Sequence, residues 1–146
     1  MLTLQSAGVI CSIVTVLLYL NSLDCKLVFD DRAAIEENPD LRHDSPWTNL
    51  LWHDFWGDDL QFYKSHKSYR PICVATFKLN YHLHELEPMG YHLVNIILNG
   101  VVSYLYVHLC GIVFRQPWPS FLAGLLFAVH PIHTESVSQL KSHRIV

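Results

Sequence analysis

Tyr91-His92-Leu93-Val94-Asn95-Ile96-Ile97-Leu98-Asn99-Gly100-Val101-Val102-Ser103-Tyr104-Leu105-Tyr106-Val107-His108-Leu109-Cys110-Gly111-Ile112-Val113-Phe114 carries no Asp, Glu, Lys or Arg. As a helix rising about 1.5 Å per residue it is roughly 36 Å long, enough to cross a hydrocarbon core of about 30 Å with some tilt. Met1–Leu20, also uncharged, reaches about 30 Å and reads as a first span. It has no Lys or Arg before it and no small-x-small cleavage pattern at Leu20-Asn21-Ser22-Leu23, so an uncleaved signal-anchor is expected over a removable signal peptide. A third, shorter apolar segment around Phe121–Val129 is bracketed by Pro119 and Pro131, as a partial span or a helix with Pro-defined ends would be.

Charge elsewhere follows from this. Only 16% of the 146 residues are charged and 51% are hydrophobic, against about 25% charged in soluble domains. Twelve of the thirteen acidic residues and seven of the ten basic ones fall in Asp24–Glu87. The expected class is an α-helical membrane protein with about three transmembrane helices and one long polar loop. Its divisions are a first span at 1–20, a loop at 21–90, a second span at 91–114, a turn at 115–119, a third membrane segment at 120–133 and a tail at 134–146. The short turn Arg115-Gln116-Pro117-Trp118-Pro119 fits a cytosolic side, and loops beyond about 60 residues translocate largely regardless of charge. The long loop is therefore expected outside, on the side to which His130 onward returns. With a net charge of −3, no nucleic-acid partner is expected.

The loop opens on an acidic pair, Asp30-Asp31, in Val28-Phe29-Asp30-Asp31-Arg32-Ala33-Ala34-Ile35. Two carboxylates a few residues from a membrane surface suit a transferase base; equally, they suit a helix start over Phe29–Glu37, by accepting backbone N–H groups. Asn38-Pro39 would stop that helix. Ser45-Pro46 then reads as an N-cap with proline in the first turn, and Trp47, Leu50, Leu51 and Phe55 share one helical face. With Trp52 and Trp56 the segment reads as an interfacial helix or as one packed in a core. Gly57-Asp58-Asp59 breaks it. From Pro71 a further helix is expected, with Ile72, Ala75, Thr76, Leu79, Leu83 and Leu86 on one face, interfacial or buried. Lys67 and Arg70 stand near its N-terminus, where cations and backbone N–H groups together would hold a phosphate, or where they are simply solvated. Cys25 and Cys73 could pair in an oxidising compartment.

On the second span His92, Asn95, Asn99 and Ser103 form a polar stripe that should face other helices, and without further helices it is expected to face lipid. His108 lies about 160° around the helix from His92, which argues against one haem or metal held by both. His130-Pro131-Ile132-His133-Thr134-Glu135 has the composition of a metal site, but the proline bars the regular helical pairing of two histidines. No metal site or cofactor is assigned, and dependence on a divalent metal stays open.

Several of these stretches together resemble a known family. Phe29-Asp30-Asp31-Arg32-Ala33-Ala34-Ile35, Asp54-Phe55-Trp56-Gly57, Ser65-His66-Lys67-Ser68-Tyr69-Arg70-Pro71, Leu79-Asn80-Tyr81, Gly90-Tyr91-His92-Leu93-Val94-Asn95 and Phe127-Ala128-Val129-His130-Pro131-Ile132-His133-Thr134-Glu135 are similar, in order, to the N-terminal membrane region of the transmembrane and tetratricopeptide-repeat O-mannosyltransferases. The resemblance covers about Leu20 to Val137. It implies part of a GT-C glycosyltransferase fold in the endoplasmic-reticulum membrane, multi-pass, with the main loop luminal. It further implies dolichyl-phosphate-mannose as donor, Ser or Thr of cadherin-like proteins as acceptor, Asp30 or Asp31 as base, and Arg32, Lys67, Arg70, His130 and His133 as stabilisers of the donor phosphate. After Val137 the family pattern gives way to Ser138-Gln139-Leu140-Lys141-Ser142-His143-Arg144-Ile145-Val146. The expectation is a truncated product, inactive alone, with a non-catalytic membrane-anchored binding or regulatory fragment as the alternative.

Overall fold

The computed structural model describes residues 2–26 and 31–133. Asp30, Thr134, Glu135 and the divergent tail lie outside the described residues. Among those described there is no strand, only an isolated bridge between His53 and Asp59. Among the described residues two helices are long and apolar enough to cross a membrane, Leu4–Asp24 and Pro88–Phe114. The chain divides into two compact units, a membrane unit from Met1–Cys25 and His92–Val146 and a loop unit from Lys26–Tyr91.

In the membrane unit α1 (Leu4–Tyr19) starts at a reciprocal cap between Thr3 and Ser6 and continues as 3-10 turns through Asp24. α3 (Pro88–Phe114) starts three residues before the expected span. α4 (Pro117–Ala128) likewise starts earlier than Pro119 suggested, because prolines in a first turn give up no intrahelical bond. Its 12 residues reach only about 18 Å, too short to cross a core of about 30 Å.

Small side chains bring these helices together. Ser120, Gly124 and Ala128 are buried one turn apart on α4, and Ala7, Gly8, Cys11 and Thr15 are buried on α1. A Cβ added at Gly124 would meet Val107 at 2.3 Å and the Cys11 sulfur at 3.0 Å, so only glycine permits this approach. Hydrogen bonds supplement the contact. The Thr15 hydroxyl donates to Ser103 at 2.8 Å, Ser103 donates to the Asn99 carbonyl at 2.9 Å, and the Tyr19 hydroxyl donates to the His130 carbonyl at 3.2 Å. His92 donates through Nε2 to the Cys25 carbonyl at 3.1 Å. The polar stripe of α3 therefore does not face lipid: His92, Asn99 and Ser103 are buried within the unit and Asn95 is half-buried. His108 bonds the Tyr104 carbonyl of its own helix.

Among its described residues the loop unit has one regular helix, α2 (Pro71–His84), over a core of Ala34, Ile35, Leu41, Leu50, Val74 and Tyr91. The helix expected at Phe29–Glu37 is a single π-type turn, Arg32–Glu36, among the described residues. The one expected from Ser45-Pro46 through Trp56 is a 3-10 segment, Trp47–Leu51, with Pro46 ahead of it and no side-chain cap. It stops because the next residues have other partners: Asp54 takes the Trp56 amide at 2.9 Å and the Asp58 amide at 3.1 Å, folding the chain back over Gly57. Gly57 has φ +89, and a Cβ there would sit 2.5 Å from Asn38 Oδ1. Leu50 is buried and Phe55 packs on the core, whereas Trp47, Leu51 and Trp52 face outward.

α2 is apolar on two sides. Val74 is buried inward, while Ile72, Leu79 and Leu83 of the expected stripe are 82%, 57% and 70% exposed. Leu86 is exposed as well, while Ala75 of the same stripe packs against the core. Cys25 and Cys73 are both free thiols, not a disulfide.

Candidate functional site

The site residues read from the sequence fall into two sets, one in each unit. In the loop unit Asp31 heads the single turn Arg32–Glu36, and its side chain makes no capping bond there. Arg32 pairs through Nε with Glu36 at 3.1 Å on an exposed face, a contact of small energetic consequence. The Arg42 guanidinium donates to the Glu36 carbonyl and lies 4.9 Å above the Tyr81 ring, tying this turn to α2.

The motifs Asp54-Phe55-Trp56-Gly57 and Ser65-His66-Lys67-Ser68-Tyr69-Arg70-Pro71 are two halves of one knot. Asp54, 1% exposed, accepts the Ser65 hydroxyl at 2.6 Å along with the two amides already described. The Phe55 amide donates to the Ser68 carbonyl at 2.7 Å. Burial alone would raise the Asp54 pKa. The Ser65 hydroxyl and the amides of Trp56, Asp58 and His66 outweigh it and hold the carboxyl below its ordinary value.

This knot sets the two cations. Lys67, at φ +57, donates through Nζ to the carbonyls of Leu60 and Phe62, closing its own loop. Arg70 precedes α2 with its guanidinium 5.2 Å from the centre of the Phe55 ring. Stacking engages the face of a guanidinium and leaves its N–H donors in plane, the geometry that suits phosphate. Arg70 is thus better disposed toward an anion than Lys67.

A second network lies behind α2. Lys78 is fully buried and donates to the carbonyls of Asp40 and Ser45, each at 2.7 Å. Asp40 accepts from Asn49 at 3.0 Å and lies 2.7 Å from His53 Nδ1. Desolvation lowers the Lys78 pKa, against the opposing pull of Asp40 and Asp44. Neither Asp54 nor Lys78 stood out in the sequence as a site residue. Asp54 had a local signal, an Asp three residues before a turn glycine; Lys78, bonded 38 residues away, had none.

In the membrane unit His130 and His133 follow the end of α4, their ring centres 6.3 Å apart. The Ile132 amide donates to His130 Nδ1 at 3.2 Å, so the proton of the neutral ring belongs on Nε2, which is then a donor. His133 packs on Phe127 at 4.4 Å, and Phe127 stacks on Tyr106 at 4.4 Å. These rings, with Ala123, Leu126 and Ile132, line an open groove of about 420 Å³. Among the described residues, no three or more His, Cys, Asp or Glu side chains converge as metal ligands.

Comparison with known proteins bears on most of the chain. It is 52% identical over 120 residues to human protein O-mannosyl-transferase TMTC3 and 46% identical over 132 residues to the Xenopus laevis protein O-mannosyl-transferase tmtc2. It is 45% identical over 130 residues to protein O-mannosyl-transferase Tmtc1 of Drosophila melanogaster. These matches cover 82%, 90% and 89% of the chain but span only 13%, 16% and 15% of the relatives' own length. No family model and no solved structure matches it. Over most of its length the chain is homologous to an N-terminal stretch of the TMTC protein O-mannosyl-transferases, the family its motifs resemble.

Proposed function

We propose that this chain is the donor-side part of an endoplasmic-reticulum O-mannosyltransferase of GT-C type, with Asp24–Glu87 in the lumen. The observation that carries the reading is the homology to protein O-mannosyl-transferases over 82–90% of the chain. In the reaction, a Ser or Thr hydroxyl of a cadherin-like acceptor attacks the anomeric carbon of dolichyl-phosphate-mannose. The hydroxyl proton passes to Asp30 or Asp31, and the bond from the sugar to phosphate breaks with its electrons on the lipid phosphate. Arg70, with Arg32 and Lys67, is the loop unit's set for stabilising the departing phosphate, and His130 and His133 are the membrane unit's own candidates for that role. The outward stripe of α2 and the outward Trp47, Leu51 and Trp52 seat the loop in the membrane interface, where indole rings are favoured.

Two measurements test this. An N-glycosylation acceptor placed near Asn38 is modified in cells; a loop open to protease outside sealed microsomes would refute the luminal assignment. In a full-length relative, Asn at the position of the base lowers mannosyl transfer by roughly 10²–10⁴-fold with insertion unchanged. Near-normal transfer by both single variants would remove the base assignment.

Taken alone, the chain inserts but does not transfer mannose, because two crossing helices and a short third give few walls to shield a lipid phosphate from water. In that state it acts as a membrane-anchored binding fragment. Measurable transfer by the isolated chain in liposomes would overturn this.

A further inference from the structure

We propose that the groove between α3 and α4 holds the first part of the donor's hydrocarbon chain, with His130 at its mouth directed to the phosphate. This rests on the reading that His130 and His133 serve a lipid phosphate, and adds where the lipid lies. The groove walls are Tyr106, Ala123, Leu126, Phe127 and Ile132, and its remaining lining residues, His130 and His133, follow the end of α4 in the chain. An apolar trough whose ring N–H donors are the two histidines just beyond the end of α4 complements a molecule with one anionic end and one apolar end. The volume, about 420 Å³, lies within the range of small-ligand sites, so it holds a segment of one chain rather than a two-chain phospholipid. The walls are fixed: Tyr106 and Phe127 are nearly parallel at 18°, and His133 packs on the same Phe127. His130 is fixed as well, its carbonyl held by Tyr19 and its Nδ1 by the Ile132 amide, which leaves Nε2–H as the donor. Leu126 and Ile132, at 71% and 57% exposure, present a rim that a lipid chain would cover.

The test uses the whole chain in phosphatidylcholine nanodiscs, with a long-chain polyprenyl phosphate and a short water-soluble isoprenyl phosphate as probes. Retention is read by native mass spectrometry, and unchanged shielding of Cys11 from maleimide reports an intact fold. Ala123→Trp fills the trough and is expected to lower retention of the long probe by about tenfold while leaving the short one nearly unchanged. Leu126→Asn makes one exposed wall polar and is expected to act in the same direction without disturbing the helix contacts. His130→Ala should lower retention of both probes. If the long probe binds the two groove variants as it binds the parent while His130→Ala weakens it, the groove assignment falls and the phosphate reading stands. If His130→Ala has no effect on either probe, the phosphate reading falls and takes the groove with it. Retention of the long probe no greater than that of a labelled phosphatidylcholine at the same mole fraction in the nanodisc would make the groove a general lipid contact and overturn the proposal.

Discussion

The two units are held by opposite means. In the membrane unit the helices meet through Gly8, Cys11, Ser120, Gly124 and Ala128, and bulky side chains such as Leu17, Leu105, Ile112 and Leu126 point outward. The loop unit buries Asn38, Asp40, Asp54, Lys78 and Asn80, each bonded or packed inside a segment with one regular helix. The difference follows from the surroundings. Lipid offers no hydrophobic gain for bringing apolar helices together, so close approach and dispersion decide the contact. A 66-residue polar loop has too few ladder bonds to satisfy its backbone, so buried side chains finish the accounting.

If this contrast holds, removing a polar group should hurt the loop most, and adding bulk should hurt the membrane unit. The largest effect is expected from Lys78→Met, which keeps the volume but strands the carbonyls of Asp40 and Ser45. About 3 kcal/mol should be lost from the loop unit, at 1–3 kcal/mol for each unsatisfied buried group. Denaturant titration followed by emission of the loop tryptophans would show it, and an unchanged midpoint would mean that the network is not what holds the loop.

Asp54→Asn comes next, at about 2 kcal/mol for lost charge-assisted bonds. It also tests pH dependence. The folded carboxyl titrates below its ordinary value of 3.8, so its stabilisation is complete above that value and is lost as pH falls through the lower folded pKa. The variant should lack that acid-side decline; a parent chain equally stable on both sides of this range would contradict the assignment.

Gly124→Val should cost the membrane unit about 1–3 kcal/mol by overpacking against Val107 and Cys11. Cys11, fully buried, should become reactive to maleimide while the loop tryptophans stay unmoved. The smallest effect belongs to Thr15→Val, which removes the bond to Ser103 for about 0.6 kcal/mol. A Thr15 effect exceeding that of Gly124 would reverse the picture for the membrane unit.

Much of the membrane unit was legible because charge-free length is a direct physical signal. The run from Tyr91 to Phe114, the polar stripe of α3 and the Pro71 start of α2 all lie in local sequence. The loop was legible only in part. The apolar pattern after Pro46 is helical, yet it could not show that Asp54 would claim the amides of Trp56 and Asp58 and stop the helix. The stripe of α2 gave its spacing but not its side, since Ile72 and Val74 are equally apolar and only packing tells which is inside. Lys67 and Arg70 looked alike as cations, and their difference depends on the backbone: one closes a turn at positive φ, the other stacks on Phe55. The groove beside His130 required knowing that Tyr106 meets Phe127, which no local pattern contains.

The contact of α1 with α4 also sets an order in time. Cys11 bonds the Phe121 carbonyl and Tyr19 the His130 carbonyl, partners 110 and 111 residues further along the chain. At a synthesis rate of about 5–20 residues per second, α1 leaves the ribosome on the order of 5–20 s before its partner exists. During that interval its row of small residues stands open in the bilayer. The face of α1 that meets α4 must be held by the insertion machinery or by passing lipid until α4 arrives, so a short helix, and not a long one, closes that contact.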